Sequence, residues 1–196
     1  RENGVGETQH VFLAGNGLPQ RFRDGFHIAE LGFGTGLNLL VALLAWRQSG
    51  QKGQLQFTSF EAFPMDADEM VRAQHQFADL KGISSELEPF WGLSEFETSE
   101  LNFKLVIGDA RETLPQWDGM ADAWFLDGFS PAKNPELWQP DLLQNVAAHT
   151  ITGGTAATYT AAGAVRRDLR VAGVEVSRIA GFGRKRHMTR ALKVAT

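Results

Sequence analysis

Cysteine is absent from the 196 residues of the chain. A chain without cysteine can have no disulfide framework, no thiolate metal site and no cysteine nucleophile, and this suits a reducing compartment, so we expect a cytoplasmic location. Long apolar runs are absent as well. The longest, Leu39 to Trp46, is far shorter than the ~20 residues that a membrane span needs, and we therefore expect no membrane partner.

Sequence signals for metal binding and for serine hydrolases are also lacking. The five histidines are scattered along the chain without H-x-x-H spacing, so no metal site is expected. Serine and histidine form no G-x-S-x-G elbow, which argues against an α/β-hydrolase nucleophile.

The net charge is only −4, but it is unevenly distributed. Residues 163–196 carry nine Lys and Arg and two acidic residues, a net of +7, whereas residues 1–162 carry ten basic and 21 acidic residues, a net of −11. Such asymmetry favours a surface near the C-terminal end that faces a polyanion. The alternative is a solvated surface on which the charges happen to cluster.

Apolar strands alternate with amphipathic helices along most of the chain. Strands are expected at 26–31, 55–61, 103–107, 121–126 and 155–160, and helices at 38–48, 66–80, 111–117, 137–149 and 164–172. This order predicts an α/β fold: a Rossmann-like, doubly wound, mostly parallel sheet of seven strands.

The last two strands, at 174–179 and 189–194, have no helix between them. A short basic loop cannot make a parallel crossover, so we expect them to pair as an antiparallel edge hairpin. Residues 83–101 are acidic and irregular, and Gly153-Gly154 predicts a turn.

A glycine-rich segment, residues 30–36, lies between the first strand and the first helix. Glycines at 32, 34 and 36 let the backbone turn sharply and approach a ligand closely. The dinucleotide fingerprint G-x-G-x-x-G would need a glycine at Leu37. Glu30 would repel a pyrophosphate and favour a cationic ligand such as S-adenosylmethionine. The alternative is a structural turn.

Single carboxylates follow the next two strands. Ligands of open α/β sheets lie beyond the carboxyl ends of the strands. There Glu61 can accept hydrogen bonds from ribose hydroxyls. Asp109, in Gly108-Asp109-Ala110, can accept a hydrogen bond from an adenine amine. The alternative for Glu61 is an exposed or helix-capping acid. The alternative for Asp109 is the N-cap of the following helix, a role compatible with ligand binding.

A stiff loop, residues 127–135, follows the fourth strand. Asp127 is placed where a reacting group would lie, Phe129 can stack on a flat substrate, and prolines restrict the loop. The alternative is a tight turn in which Asp127 binds local backbone donors.

The basic end of the chain contains Arg166, Arg167, Arg184, Lys185 and Arg186. Arginine and lysine bind phosphates without reading sequence, and aromatic residues are too sparse here for a stacking platform, so backbone contacts to RNA are expected.

Five blocks of the sequence resemble the methyltransferase domain of MnmC-type tRNA modification enzymes. They are Glu30 to Leu39 (ELGFGTGLNL), Ser59 to Pro64 (SFEAFP), Asp122 to Pro135 (DAWFLDGFSPAKNP), Thr158 to Leu169 (TYTAAGAVRRDL) and Gly181 to Met188 (GFGRKRHM). The resemblance spans nearly the whole chain. It implies a class I methyltransferase that uses S-adenosylmethionine to methylate 5-aminomethyl-(2-thio)uridine at the tRNA wobble position.

The resemblance also assigns roles to residues. It places Asp127 beside the acceptor amine. The residues that it implies hold the methyl donor are Glu30, Gly32, Gly34, Gly36, Asn38, Glu61 and Asp109. We also expect Phe33 and Ala110 to bind the methyl donor, and Phe129, Lys133 and the basic end to bind the RNA substrate.

Two further expectations concern organisation. Residues 11–22 look like the N-terminal hairpin of that family, so we divide the chain into an extension at 1–25 and a methyltransferase domain at 26–196. Bifunctional members also carry an FAD-dependent oxidase half, which this chain lacks. The resemblance therefore implies an oxidase domain or protein as a partner, and a chain that is either a stand-alone member or a piece of a longer protein.

Three rival functions remain open from the residues: an enzyme that uses a nicotinamide cofactor, a methyltransferase acting on another amine, and a non-catalytic RNA-binding module.

Overall fold

The computed structural model describes residues 3–128 and 131–196, which build one mixed sheet of eight strands. In chain order the strands are β1 (His27–Leu31), β2 (Leu55–Glu61), β3 (Glu95–Glu97), β4 (Leu101–Ile107), β5 (Ala121–Leu126), β6 (Thr150–Thr158), β7 (Glu175–Ala180) and β8 (His187–Leu192). Across the sheet their order is β3-β4-β2-β1-β5-β6-β8-β7. The five central strands are parallel, and antiparallel pairs lie at both edges.

Helices connect the strands. They are α1 (Gly4–Thr8), α2 (Leu37–Ser49), α3 (Ala67–Gln74), α4 (Lys81–Leu87), α5 (Ala110–Thr113), α6 (Pro140–Ala148) and α7 (Gly163–Val171). None of the described helices is long and apolar enough to cross a membrane.

Alternate residues of the central strands point to opposite faces of the sheet, and helices cover both faces. Phe125 belongs to the apolar cluster that contains α2, whereas Trp124 and Leu126 belong to the cluster that contains α6 and α7. Every residue of β5 is buried, as expected for a parallel strand with helices on both sides. The doubly wound prediction is therefore confirmed.

The C-terminal hairpin is confirmed too, because β7 and β8 pair antiparallel from Glu175–Leu192 to Ala180–His187. Since β8 is also antiparallel to β6, β7 runs in the same direction as the parallel strands. The loop at 181–186 and the first turn of α7, which follows β6, consequently lie at the edge where those strands end.

The predicted N-terminal hairpin is wrong, because the segment is helical. After α1 the chain makes a π-helical turn, Gln9–Leu13, and a 3-10 turn, Ala14–Asn16. Buried residues spaced three or four positions apart follow the helical period and not the alternation of a strand; examples are Gly4, Thr8, Phe12 and Gly15. Phe12 packs in the same apolar cluster as β1.

The stretch 83–101 is more regular than its acidic sequence suggests. It contains most of α4 and the short strand β3, which is the eighth strand that the sequence did not predict. Phe96 is buried while its neighbours Glu95 and Glu97 are exposed, so only one side of this edge strand contributes to the core.

The largest differences from the predicted boundaries occur in one helix and one strand. The helix predicted at 66–80 ends at Gln74 and is followed by a 3-10 turn, Ala78–Leu80. Residues Gly153-Gly154 form no turn between elements but lie within β6, where the register with β5 shifts. Gly153 has a φ of 82°, a conformation that glycine allows inside an irregular strand.

Candidate active site

The glycine-rich loop lies at the end of β1, where the sheet order reverses between β2 and β5. Gly32, Gly34 and Gly36 all have positive φ angles, of 89°, 56° and 80°. A Cβ on Gly32 would lie 2.8 Å from the carbonyl oxygen of Asp127, so this loop and the loop after β5 touch backbone to backbone. The predicted tight turn is confirmed, and the close approach seen at Gly32 is to the backbone of Asp127.

A cleft of about 400 Å³ opens above these two loops. Its wall includes six of the residues singled out from the sequence, namely Gly32, Phe33, Gly34, Asn38, Glu61 and Asp127. The other wall residues come from the N-terminal segment, the glycine loop and its helix, and the segments after β2 and β5. They are Gly4, Glu7, Thr8, Phe12, Thr35, Leu37, Met65, Gln76, Phe77, Gly128, Asn134 and Leu137.

The charged side chains among the described wall residues are Glu7, Glu61 and Asp127, and none of these wall residues is Lys or Arg. The cleft is therefore negatively charged, which favours a cationic ligand over a phosphate-rich one. The described part of the chain contains no cluster of His, Asp and Glu that could hold a metal ion.

Glu30 lies below the floor of the cleft and not on its wall. Its side chain is fully buried, accepts a hydrogen bond of 2.7 Å from the Ser59 hydroxyl and accepts another of 2.8 Å from the Asn38 amide. Burial raises the pKa of Glu30 well above its usual range, and the nearby Asp127 adds to this rise. Glu30 can therefore influence a ligand in the cleft only through its neighbours.

Glu61 borders the cleft from the end of β2. Its Oε1 accepts a hydrogen bond of 3.1 Å from the backbone N–H of Gly34, and its Oε2 accepts one of 3.2 Å from the N–H of Phe63. The carboxylate thus links the glycine loop to the segment after β2. Each oxygen keeps a second acceptor position, so Glu61 can bind ligand hydroxyls while holding the loop.

Asp109 and Ala110 do not line this cleft. Asp109 is the N-cap of α5, where its Oδ1 accepts from the backbone N–H of Arg111 at 2.9 Å, and it forms an ion pair of 2.5 Å with the Arg111 guanidinium. The hydrogen bonds from Arg111 lower the pKa of Asp109. Ala110 is buried in the apolar cluster beneath α5. The capping interpretation of Asp109 is therefore confirmed.

Asp127, at the end of β5, is half-buried and faces the cleft. The Tyr159 hydroxyl donates a hydrogen bond of 2.5 Å to the carbonyl of Gly128, which fixes the chain just beyond Asp127. Lys133 is exposed and lies off the cleft wall, and Phe129 lies outside the described residues.

The basic residues gather at the same edge of the sheet as the cleft. Arg184, Lys185 and Arg186 are exposed in the loop between β7 and β8. Arg166 and Arg167 lie near the start of α7. The ammonium of Lys185 lies 4.2 Å from the centre of the Tyr159 ring, which connects the basic loop to the chain beyond Asp127.

Sequence reasoning missed the wall contributed by the N-terminal segment. Thr8 and Phe12 line the cleft, yet both precede β1 and no motif marks them. Their spacing of four residues on a helical face was the available signal, but it shows only that the two side chains lie together and not what they face.

A sequence model of a family described as "S-adenosyl-L-methionine-dependent methyltransferase" matches residues 81–194, which is more than half of the chain. The chain belongs to this methyltransferase family.

Relatives of this methyltransferase include two named "tRNA 5-methylaminomethyl-2-thiouridine biosynthesis bifunctional protein MnmC". The protein from Ralstonia nicotianae is 44% identical over 96% of this chain and 30% of its own length. The protein from Caulobacter sp. (strain K31) is 46% identical over 97% of this chain and 34% of its own length. The methyltransferase thus spans about a third of the length of these relatives.

Among solved structures, MnmC2 from Aquifex aeolicus is similar to the methyltransferase with a TM-score of 0.79 and 29% identity, over 97% of this chain and 61% of that one. This likeness confirms the Rossmann-like fold. The methyltransferase uses S-adenosylmethionine, and the acidic cleft fits the positive charges of its sulfonium and ammonium groups. The positive-φ glycines leave room for a ligand to approach the backbone closely.

Proposed function

We propose that this methyltransferase transfers a methyl group from S-adenosylmethionine to the exocyclic amine of 5-aminomethyl-(2-thio)uridine at the tRNA wobble position. The product is the 5-methylaminomethyl form. The observation that carries the proposal is Asp127, a carboxylate at the wall of an acidic cleft and at the edge of the sheet where the basic residues gather. The names of the 44% and 46% identical relatives, which refer to this modified uridine, support it.

The cofactor supplies a methyl group that its sulfonium already activates. The protein therefore contributes mainly alignment, by holding donor and acceptor in line at short distance. We assign to Glu61 the binding of cofactor hydroxyls, and to the glycine loop the close contact with the donor. Glu30, which is buried, acts on the donor only through its neighbours, and we assign no direct donor contact to Asp109 and Ala110, which do not line the cleft.

Asp127 binds the acceptor amine. Only the neutral amine has a lone pair, so the reaction forms a bond from nitrogen to methyl and breaks the bond from sulfur to methyl. The nitrogen becomes a cation, which the Asp127 carboxylate stabilises, and its extra proton then leaves to Asp127 or to water.

In this proposal the basic end of the chain binds the phosphate backbone of the tRNA. Phosphate contacts position a protein on nucleic acid, and Arg166, Arg167 and the loop at 184–186 lie at the same sheet edge as the cleft. We assign Phe129 and Lys133, in the loop after Asp127, to the wobble nucleotide.

The amine must be produced by an earlier reaction. The relatives are named bifunctional and are about three times as long as this chain, so we propose an FAD-dependent oxidase, fused or separate, as the partner that forms it. Because its proposed substrate is tRNA, we place the enzyme in the cytoplasm.

The direct test is incubation of the full chain with isotopically labelled methyl donor and tRNA that lacks only this final methyl group, followed by nucleoside analysis. We expect label in 5-methylaminomethyl-uridine. Label in a small amine but not in tRNA would favour a different methyltransferase substrate. Tight cofactor binding without any transfer would favour an RNA-binding module.

The nicotinamide alternative has its own test in cofactor binding. S-adenosylhomocysteine is expected to raise the Tm of the protein, whereas NAD is not, because the loop lacks the third glycine of the dinucleotide fingerprint. Stabilisation by NAD alone would contradict the proposal.

A further inference from the structure

The side-chain amide of Asn38 has its hydrogen-bonding groups occupied from within the protein. Its Nδ2 donates to Oε2 of Glu30 and to Oδ2 of Asp127, each at 2.8 Å, and its Oδ1 accepts from the Thr8 hydroxyl at 2.8 Å. An amide nitrogen carries two hydrogens, so both are used on carboxyl oxygens. Asn38 is only 4% exposed, and its donors are therefore not available for a ligand.

The Thr8 hydroxyl holds this amide in the orientation that the two carboxyl groups favour. It donates to Oδ1, so the amide oxygen lies on the Thr8 side and the nitrogen lies on the side of the two carboxyl groups. In the opposite orientation the Asn38 oxygen would face the Asp127 carboxylate, and acceptors that face each other repel. Thr8 is 3% exposed, so water does not replace it easily.

Glu30 provides the fixed end of this arrangement. It is fully buried in β1 and is held from the neighbouring strand by the Ser59 hydroxyl at 2.7 Å. Asn38 therefore connects a rigid point inside the sheet to the carboxylate that lines the cleft. The connection has an amide at its centre, a carboxyl group on either side and Thr8 behind it.

We infer that Asn38, held from behind by the Thr8 hydroxyl, is a positioning residue that sets the direction of the Asp127 carboxylate toward the acceptor amine. This revises the role of cofactor ligand that the resemblance implied for Asn38. It also gives the N-terminal helical segment a part in the chemistry, because Thr8 is the last residue of α1. The inference rests on the proposed function, in which Asp127 binds the amine.

The test compares Thr8→Val, which keeps the shape and removes the hydroxyl, with Thr8→Ser, which keeps the hydroxyl. We expect Thr8→Val to lower kcat for methyl transfer to tRNA about tenfold, because small misplacements of a reacting group have effects of up to about 100-fold. The KM for the methyl donor and the Kd for S-adenosylhomocysteine should stay within about twofold of wild type. Thr8→Ser should restore kcat.

Thr150→Val is the matched control. Thr150 is also 3% exposed, and its hydroxyl also makes one hydrogen bond, 2.7 Å to the carbonyl of Val146, but it lies at the start of β6, at the sheet edge away from the cleft. The Tm of the control should fall about as much as that of Thr8→Val, while its kcat should stay at the wild-type value. If valine does not fit at position 8, Thr8→Ala removes the same hydroxyl with a smaller side chain.

A second readout does not require substrate. In protein labelled with ¹³C at aspartate carboxyl groups, the Asp127 resonance is the one that disappears in Asp127→Asn. We expect Thr8→Val to move this resonance and Thr150→Val to leave it in place. An unmoved resonance, wild-type kcat in Thr8→Val, or a Thr8→Ser variant as slow as Thr8→Val would overturn the inference. Failure of wild type to methylate tRNA would instead overturn the proposed function, and the resonance would still decide the role of Thr8.

Discussion

At the scale of single residues, the site depends on polar groups that are buried and fully paired. Glu30 shows why such a residue is hard to interpret from sequence. An acid before a glycine-rich loop was expected to touch the cofactor, yet Glu30 is 0% exposed and binds Ser59 and Asn38. The sequence shows the charge but not the burial, and burial decides which protonation state the residue holds.

The raised pKa of Glu30 makes the stability of the protein pH-dependent. As pH rises above about 4.5, the usual value for glutamate, the unfolded chain releases this proton while the folded chain retains it. The contribution of Glu30 to the free energy of unfolding therefore falls with rising pH, by at most about 1.4 kcal/mol for each pH unit. Glutamine at position 30 cannot ionise, so the free energy of unfolding of Glu30→Gln should fall less steeply toward neutral pH than that of wild type. Urea unfolding measured at several pH values checks this.

The control for that prediction is Glu95→Gln, on an exposed side chain of β3. The free energy of unfolding of this variant should depend on pH as that of wild type does. Parallel curves for wild type and Glu30→Gln would show that Glu30 does not retain its proton in the folded protein.

Gly32 is the residue where the two loops of the site touch. An alanine there would have an unfavourable φ of 89° and would place a methyl group 2.8 Å from the Asp127 carbonyl oxygen. Gly50 is a matched control, since its φ is 74° and a Cβ would meet nothing within 4 Å. We expect Gly50→Ala to cost about 1 kcal/mol of stability and Gly32→Ala about 2–4 kcal/mol.

Binding should separate the two glycine variants further. Gly32→Ala should weaken binding of S-adenosylhomocysteine in calorimetry because it pushes apart the loops that carry the cleft, whereas Gly50→Ala should not. Equal unfolding free energies and equal affinities would contradict the close backbone approach.

At the scale of elements, the sequence predicts the parallel strands well because they are continuous apolar runs. The strands at 55–61 and 121–126 have the predicted bounds, and both are largely buried. The segments predicted poorly are those whose position depends on distant contacts. Asn16, for example, binds the Trp124 carbonyl at 3.2 Å and accepts from the Thr155 hydroxyl at 2.6 Å, and nothing near it in sequence indicates this.

The loop between β7 and β8 is the element on which we place RNA binding. Reversing the charge of Arg184, Lys185 and Arg186 to glutamate should weaken binding of tRNA and flatten its dependence on salt. For every phosphate that the variant no longer binds, the slope of log K against log salt should decrease by about 0.7–0.9. Filter binding at several salt concentrations measures both quantities.

The matched control reverses three exposed basic residues on other elements, Lys52, Arg72 and Lys81. Its salt slope should remain close to wild type. An unchanged slope in the loop variant, or an equal decrease in the control, would place the RNA elsewhere on the protein.

At the scale of the whole molecule, the net charge of −4 divides into two surfaces that share one edge of the sheet. The cleft between β1 and β5 is acidic, and the basic residues of α7 and the β7–β8 loop lie beside it. The division of charge between residues 1–162 and 163–196 is evident from the sequence. That both parts meet at one edge is not, since it follows from β7 running in the direction of the parallel strands.

The proposed methyl transfer to the tRNA amine depends most on Asp127, in this cleft. The most direct measurement is kcat of Asp127→Asn at saturating methyl donor and saturating tRNA that carries 5-aminomethyl-uridine, together with the Kd for S-adenosylhomocysteine. Asparagine keeps the shape but cannot stabilise the nitrogen cation or accept its proton. We predict a decrease in kcat of about 100-fold or more with a Kd near that of wild type, whereas a wild-type kcat would contradict the account.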